Sequence, residues 1–233
     1  MMAVSLAEAS PPSARPNAGA TPQPADAGAS PGGVAIPARK GNGFILVVTG
    51  PSGAGKGTLV AHLLQERPEC VFSVSATTRP RRSTEVDGRE YQFLGREEFE
   101  RRREAGYFLE TAEVHGNLYG TPVVEVDARV REGKVVVLDV DVQGGASVRR
   151  VRPDAVTVFV YPPSLASLRE RLEARGTDTP EVIEERMRNA PGELAQSVHY
   201  GYIIMNDRLE QAQDALLAIH DAEHARVHRS RVG

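Results

Sequence analysis

Apolar and polar positions along the chain follow two regimes. Phe44-Ile45-Leu46-Val47-Val48, closed by Thr49, is a short continuous apolar run, the pattern of a parallel strand covered on both faces. Val135-Val136-Val137-Leu138-Asp139 and Val156-Thr157-Val158-Phe159-Val160-Tyr161 repeat it, and Tyr202-Ile203-Ile204-Met205 predicts a last strand. Between and after these runs the apolar spacing becomes helical. Leu59, Val60, Leu63 and Leu64 share one face of a helix that ends before Pro68, and further helices are expected over 164–175 and 209–224. Strands alternating with helices predict an α/β fold, a parallel sheet with helices on both faces.

Two stretches break this rhythm. Residues 75–122 are polar and Arg-rich, with a short alternating piece at Tyr91-Gln92-Phe93. Residues 175–192 are charged and open a helix at Thr179-Pro180-Glu181, a cap followed by Pro and an acid in the first turn. Both are expected as lobes inserted into a core of 43–74, 123–174 and 193–233. The amino-terminal 1–42 is different again: Ala, Pro, Gly and Ser make up 28 of the first 43 residues. So few large apolar groups cannot offset the entropy of ordering, and a disordered extension is expected there. The segment also lacks the apolar stretch of a secretory signal.

Composition narrows the function little. A net charge of −3 gives no general attraction to nucleic acid or anionic membrane, so neither is expected as a partner. No apolar run approaches a membrane span in length. The single cysteine, Cys70, excludes an intrachain disulfide and fits a reducing, cytoplasmic compartment; it reads as a packing residue.

The chemistry begins at Gly50-Pro51-Ser52-Gly53-Ala54-Gly55-Lys56-Gly57-Thr58. This G-x-x-x-x-G-K sequence follows a predicted strand and opens a predicted helix, the setting of a phosphate-binding loop. Backbone N–H groups turn inward on phosphate oxygens, the helix adds its positive end, and Lys56 supplies a full charge. A nucleoside triphosphate is the expected ligand. Gly57 stands where a Ser or Thr hydroxyl usually holds Mg²⁺. The ion is therefore expected to be held through water and the triphosphate, with Asp139 at a strand end as its carboxylate partner.

Two Arg clusters flank this loop in sequence: Arg79, Arg81 and Arg82 in one insertion, and Arg171, Arg175, Arg186 and Arg188 around the other. Arg makes planar bidentate contacts with phosphate, so phosphate is expected on both sides of a transfer. Arg101-Arg102-Arg103, within a Glu-rich helix, reads as a solvated face. None of the six histidines (62, 115, 199, 220, 224 and 228) has metal-site spacing, and no Ser-His-Asp set appears. A phosphate acceptor is already largely ionised near neutral pH, so its attack needs alignment and charge neutralisation rather than a general base.

Several ordered motifs carry a resemblance. They are the loop at 50–56, Ser-Val-Ser-Ala-Thr-Thr-Arg at 73–79, Glu85 to Phe93, and Gly116 to Thr121 with Tyr119 and Gly120. Leu138 to Gly144 with Asp139, Asp141 and Gln143, then Pro162-Pro163-Ser164, Arg175-Gly176 and Asn206-Asp207, continue it. On these residues the chain resembles guanylate kinase, from about Gly43 to the region of Leu217. The resemblance implies phosphorylation of GMP, and of dGMP, by ATP with Mg²⁺. It implies that Arg79, Arg82, Tyr91 and Tyr119 hold the GMP phosphate, and that Ser75, Glu110, Thr121 and Asp141 read the guanine. It also implies that Arg175 and Arg186 belong to a lid (175–192) closing over ATP, and that 75–122 is the GMP-binding lobe. Catalysis would then rest on Lys56, Arg79, Arg175 and Arg186.

The chain departs from the family pattern where Pro80 directly follows Arg79 and Thr84 replaces a glycine, leaving Arg81 as well as Arg82 in reach of phosphate. Arg208 stands where a second Asp often follows Asn206-Asp207. Three other readings share the loop: a ribose bisphosphate kinase, which would not need Ser75, Glu110 and Thr121, a peptide-binding guanylate kinase-like module, which would not need Lys56, and a regulatory nucleotide sensor, which only turnover would exclude.

Overall fold

The computed structural model describes residues 43–82, 85–89, 91–114, 116–176 and 178–226. The extension expected over 1–42, together with Thr84, His115 and His228, lies outside them. Strand β1 (Phe44–Thr49) is the middle of a five-stranded sheet ordered β2-β7-β1-β8-β9, with β2 at Cys70–Phe72, β7 at Val135–Asp139, β8 at Val156–Tyr161 and β9 at Tyr202–Met205. Every pairing in it is parallel.

The unbroken apolar runs have a direct cause. Phe44, Leu46 and Val48 face one side and pack with Leu59 and Leu63 of α1 (Lys56–Glu66) and Leu216 of α7 (Leu209–His224). Ile45 and Val47 face the other, with Val126 of α3 (Val123–Arg131) and Val148 of α4 (Val142–Val151). Both faces exclude water, so neither can carry polar residues. Helix α5 (Leu165–Arg175) is capped by Ser164, whose hydroxyl accepts the Ser167 N–H at 3.0 Å. It packs through Leu168 and Leu172 on Ile183 and Ala190 of α6 (Pro180–Ala195).

The polar stretch between β2 and α3 builds a second, four-stranded sheet ordered β4-β3-β6-β5. Its strands are β3 (Ala76–Thr77), β4 (Gln92–Phe93), β5 (Phe108–Val114) and β6 (Asn117–Pro122). The hairpin of β5 and β6 supplies most of it, and α2 (Arg96–Glu104) buries Phe99 against Phe108, their rings stacked at 4.5 Å. Leu109 of β5 packs in the same cluster as Val148 and Leu138, which ties this sheet to the core beside the end of β7. In the triple arginine of α2, Arg101 and Arg103 are exposed as expected and pair with Glu98 and Glu100, while Arg102 is half-buried, pairs with Glu98 and lies over the Tyr107 ring at 5.2 Å. Among the described residues no helix is long and apolar enough to cross a membrane.

Candidate active site

In an open parallel sheet, ligands gather beyond the carboxyl ends of the strands, and the motif residues lie there. The turn from β1 to α1 runs through Gly50–Gly55. Gly55 has φ +94, and a Cβ on it would lie 2.2 Å from the Asn206 side-chain nitrogen; only glycine closes the loop so tightly. Asn206, just beyond β9, donates to the Ala54 carbonyl at 2.8 Å, and Arg171 of α5 donates to the Asn206 carbonyl at 2.9 Å and to that of Ala54 at 3.4 Å. The loop is thus braced from outside by two side chains. Asn206 was visible in the sequence only as part of a motif, and Arg171 only as one member of a cluster. Its place at a strand end was the available signal for Asn206.

Lys56 reaches back over the loop, its Nζ donating to the carbonyls of Gly50 at 2.7 Å and Pro51 at 3.1 Å. Burial lowers its pKa, and the charges of Asp139, Glu193 and Asp141 oppose that. Burial pushes Asp139 the other way, with Lys56 and Arg175 opposing. Each group therefore supports the ionised form of the other, in surroundings where an unpaired charge would be costly. Arg175, at the end of α5, brings its charge into this field. Arg186 of α6 donates to the Ser52 hydroxyl in the loop and, at 3.3 Å, to Asp178. Arg188 takes a different position, lining a groove with Asp141, Asn189 and Glu193. Thr58 lines a separate groove with Gly55, Arg171, Asn206 and Asp207.

The fit to Mg²⁺ can be judged from the donors. Asp139 is one carboxylate beside the first turn of α1, and a Cβ on Gly57 would stand 3.8 Å from its Oδ2. Among the described residues no three His, Cys, Asp or Glu side chains converge on a metal position. One carboxylate next to an open residue suits a strongly hydrated ion that arrives with a triphosphate.

A cavity of about 220 Å³ opens between the second sheet and the end of β7, lined by residues that include Ser75, Tyr91, Glu110, Tyr119, Asp139 and Asp141. Glu110 and Thr121 are register partners across β5 and β6, which puts both side chains on one face of the hairpin. The Thr121 hydroxyl donates to Glu110 Oε1 at 2.8 Å, and the Ser75 hydroxyl lies 3.3 Å from Thr121 Oγ1. Burial raises the Glu110 pKa to about 7, against the hydrogen bond from Thr121. Asp141 caps α4, its Oδ1 accepting the Gly144 N–H at 2.7 Å, and remains on the cavity wall.

Beside this cavity, Arg79 lies over the rings of Tyr91 at 5.6 Å and Phe93 at 5.7 Å. Its NH2 donates to Glu85 at 2.7 Å, which raises the arginine's pKa. Arg81 donates to the Glu85 carbonyl, whereas Arg82 gives Glu85 only its backbone N–H and keeps an exposed side chain. The structure thus brings Ser75, Glu110, Asp141, Tyr91 and Tyr119 around one cavity, with Thr121 buried behind Glu110 and Arg79 alongside, and Lys56, Arg175 and Arg186 around the loop. Glu85 and Gly144, which hold parts of this arrangement, are visible in the sequence only as members of motifs, with no role of their own.

A family model for guanylate kinase matches residues 43–223. The chain belongs to the guanylate kinase family. It is 51% identical over 191 residues to a guanylate kinase of Symbiobacterium thermophilum, covering 82% of this chain and 90% of that one. Its identity to a guanylate kinase of Thermotoga maritima is 45% over 189 residues, 81% and 91% of the two chains. The fold is similar to the crystal structure of guanylate kinase from Anaplasma phagocytophilum, with a TM-score of 0.67 at 33% identity, covering 81% of this chain and 90% of that one. The parallel sheet with helices on both faces, expected from the apolar runs, therefore belongs to the guanylate kinase fold; its fifth strand, β2, was not among those runs. The second sheet, unexpected from the pattern, belongs to it as well.

Proposed function

We infer that this protein transfers the γ-phosphoryl group of ATP to GMP, giving ADP and GDP, and that it accepts dGMP as well. The observation that carries the base assignment is a buried carboxylate, Glu110, held by Thr121 on the wall of a cavity beside a phosphate-binding loop. Guanine presents an N1–H and an exocyclic amine on one edge, two donors for one carboxylate. Adenine offers an acceptor nitrogen there, which would leave Glu110 unpaired and repelled, and sites of this kind discriminate by roughly 10⁴-fold.

In this reading Ser75, Thr121 and Asp141 complete the base contacts. Arg79, Arg82, Tyr91 and Tyr119 hold the GMP phosphate. Arg81, whose guanidinium donates to the Glu85 carbonyl, is given no phosphate contact in this reading. Residues 50–58 wrap the ATP phosphates, and the groove of Gly55, Thr58, Arg171, Asn206 and Asp207 takes the nucleoside of ATP. Lys56 exchanges its loop carbonyls for β- and γ-phosphate oxygens, while Arg175 and Arg186 neutralise charge on the transferring group. With an ionised acceptor, the residues need only align two phosphates and exclude water, and residues 175–192 serve as the lid that does so. Mg²⁺ bound with the triphosphate would neutralise charge between its β- and γ-phosphates, and Asp139 would hold the ion through water. Residues 75–122 form the GMP-binding lobe, 1–42 contribute no site residue, and the reaction is placed in the cytoplasm.

The test follows label from the γ-phosphate of ATP. Labelled GDP in amounts equal to ADP is expected. Labelled inorganic phosphate in its place would make the protein a hydrolase or nucleotide sensor and end this reading.

A further inference from the structure

Glu85 has no part in the roles above, yet it holds the basic loop together. Its neighbours Arg81, Arg82 and Val86 are exposed, while Glu85 itself is only 9% exposed. Both carboxylate oxygens are engaged: Oε1 accepts from Arg79 NH2 at 2.7 Å, and Oε2 accepts the Arg82 backbone N–H at 2.8 Å. Its own N–H returns to the Arg82 carbonyl at 3.1 Å, and its carbonyl receives the Arg81 guanidinium. Arg79 is further fixed by donating to the Pro80 carbonyl at 2.8 Å and by the rings of Tyr91 and Phe93.

Three guanidinium charges within four residues repel one another, and a flexible loop would spread them into solvent. A carboxylate could act on such a cluster in two opposed ways. It could compete with an incoming phosphate for the same donors, or it could hold them in place before the phosphate arrives. The geometry decides between these. Glu85 is not on the cavity wall, whereas Tyr91 and Tyr119 are. Arg79 is not on that wall either but lies over the ring of Tyr91, which is, so Glu85 reaches the cavity only through Arg79, whose guanidinium has further N–H donors to offer.

We propose that Glu85 is a positioning residue for the phosphate acceptor: it fixes the Arg79 guanidinium so that it meets the acceptor's phosphate without reordering. This rests on the reading that Arg79 binds the GMP phosphate. Glu85 touches neither substrate and acts through Arg79. Its paired oxygens keep it ionised against the cost of burial, since the hydrogen bond from Arg79 holds its pKa below the usual carboxylate value.

The test is initial-rate kinetics, varying GMP at saturating ATP and ATP at saturating GMP, for wild type, Glu85→Gln, Arg79→Lys and the double variant. Glu85→Gln turns an amide N–H₂ or an uncharged oxygen toward Arg79, and KM for GMP is expected to rise roughly tenfold, with KM for ATP within about twofold of wild type. The double variant should be no worse than Arg79→Lys alone, because the carboxylate acts through that arginine. Glu85→Asp keeps the charge but cannot span both partners, so it too should raise KM for GMP. Wild-type behaviour of Glu85→Asp would reduce Glu85 to a bare counter-charge and overturn the proposal. An unchanged or lower KM for GMP in Glu85→Gln, with Arg79→Lys still impaired, would overturn it while leaving the Arg79 reading intact. Equal losses for GMP and ATP, or additive effects in the double variant, would also overturn it. If Arg79→Lys leaves KM for GMP unchanged, the underlying assignment of the phosphate site fails instead.

Discussion

Thr121 donates its hydroxyl to Glu110 across the β5–β6 hairpin at 2.8 Å and so braces a buried carboxylate on a cavity wall. Without a ligand, burial keeps the Glu110 pKa at about 7. Guanine binding needs the ionised form, so below pH 7 binding must first release a proton. KM for GMP is therefore expected to climb as pH falls from 7 to 5, by up to about tenfold per unit, with little change in KM for ATP. The GMP phosphate itself titrates near about 6, but that term is common to wild type and Glu110→Gln. The comparison isolates the carboxylate: the variant should have a higher KM at pH 8 and a shallower rise toward pH 5. Parallel profiles would remove Glu110 from the base site.

The same shift has a consequence for stability, opposite in sign to that of a salt-bridged acid. Between the ordinary value of 4.5 and about 7, an unfolded chain gives up the Glu110 proton while the folded chain retains it. Folding stability attributable to this group is full below 4.5 and is lost as pH rises through 7. Glu110→Gln should thus make the ligand-free protein more stable at pH 8, on the order of 2 kcal/mol, with the gain vanishing toward pH 4.5. Denaturant unfolding at both pH values measures it, and a gain that does not depend on pH would contradict the cause given.

Lys56 donates to two loop carbonyls, and nearby carboxylates oppose the lowering of its pKa by burial. Replacing it with Met keeps the bulk and removes the charge at the transferring phosphate. We expect kcat to fall by about 10³-fold or more with the circular dichroism spectrum unchanged. A loss below tenfold would show that Lys56 is not a principal charge at the phosphate.

Gly144 is the close-approach point of α4: a Cβ there would stand 3.0 Å from Asp141 Oδ1 and 3.2 Å from Glu110 Oε2. Gly144→Ala should push both carboxylates and raise KM for GMP by about fivefold or more, leaving KM for ATP nearly unchanged. Equal changes for both nucleotides would mean that α4 has shifted as a whole.

The core was legible because its physics is simple. Strands such as β1 and β7 are covered on both faces and read as unbroken apolar runs, and the loop chemistry follows from glycines and Lys56 at a strand end. The β5–β6 hairpin was not legible, because its inward positions include Glu110 and Thr121. Polar residues facing a cavity reverse the alternation that marks a strand. Strand β3 spans only two residues, too short for any period. The candidate base site was named by resemblance rather than by pattern, since nothing local distinguishes Glu110 from the other glutamates. Glu85, Arg171 and Gly144 act through contacts between distant segments or through a turn whose path the sequence does not display.

Residues 1–42 precede the region matched by the family model, which begins at residue 43. Removing residues 1–40 is expected to leave kcat and both KM values within about twofold, since a segment so poor in large apolar side chains has little with which to bind the core. A severalfold loss would show that it contributes to the site or to folding.

The most direct test offers GMP, AMP, CMP, UMP, dTMP and ribose 1,5-bisphosphate separately, with ATP and Mg²⁺, and follows ADP formation. Fast turnover confined to GMP is the expected result, with dGMP used more weakly when offered in turn. Turnover with the sugar phosphate alone, or silence with every acceptor, would contradict the assignment.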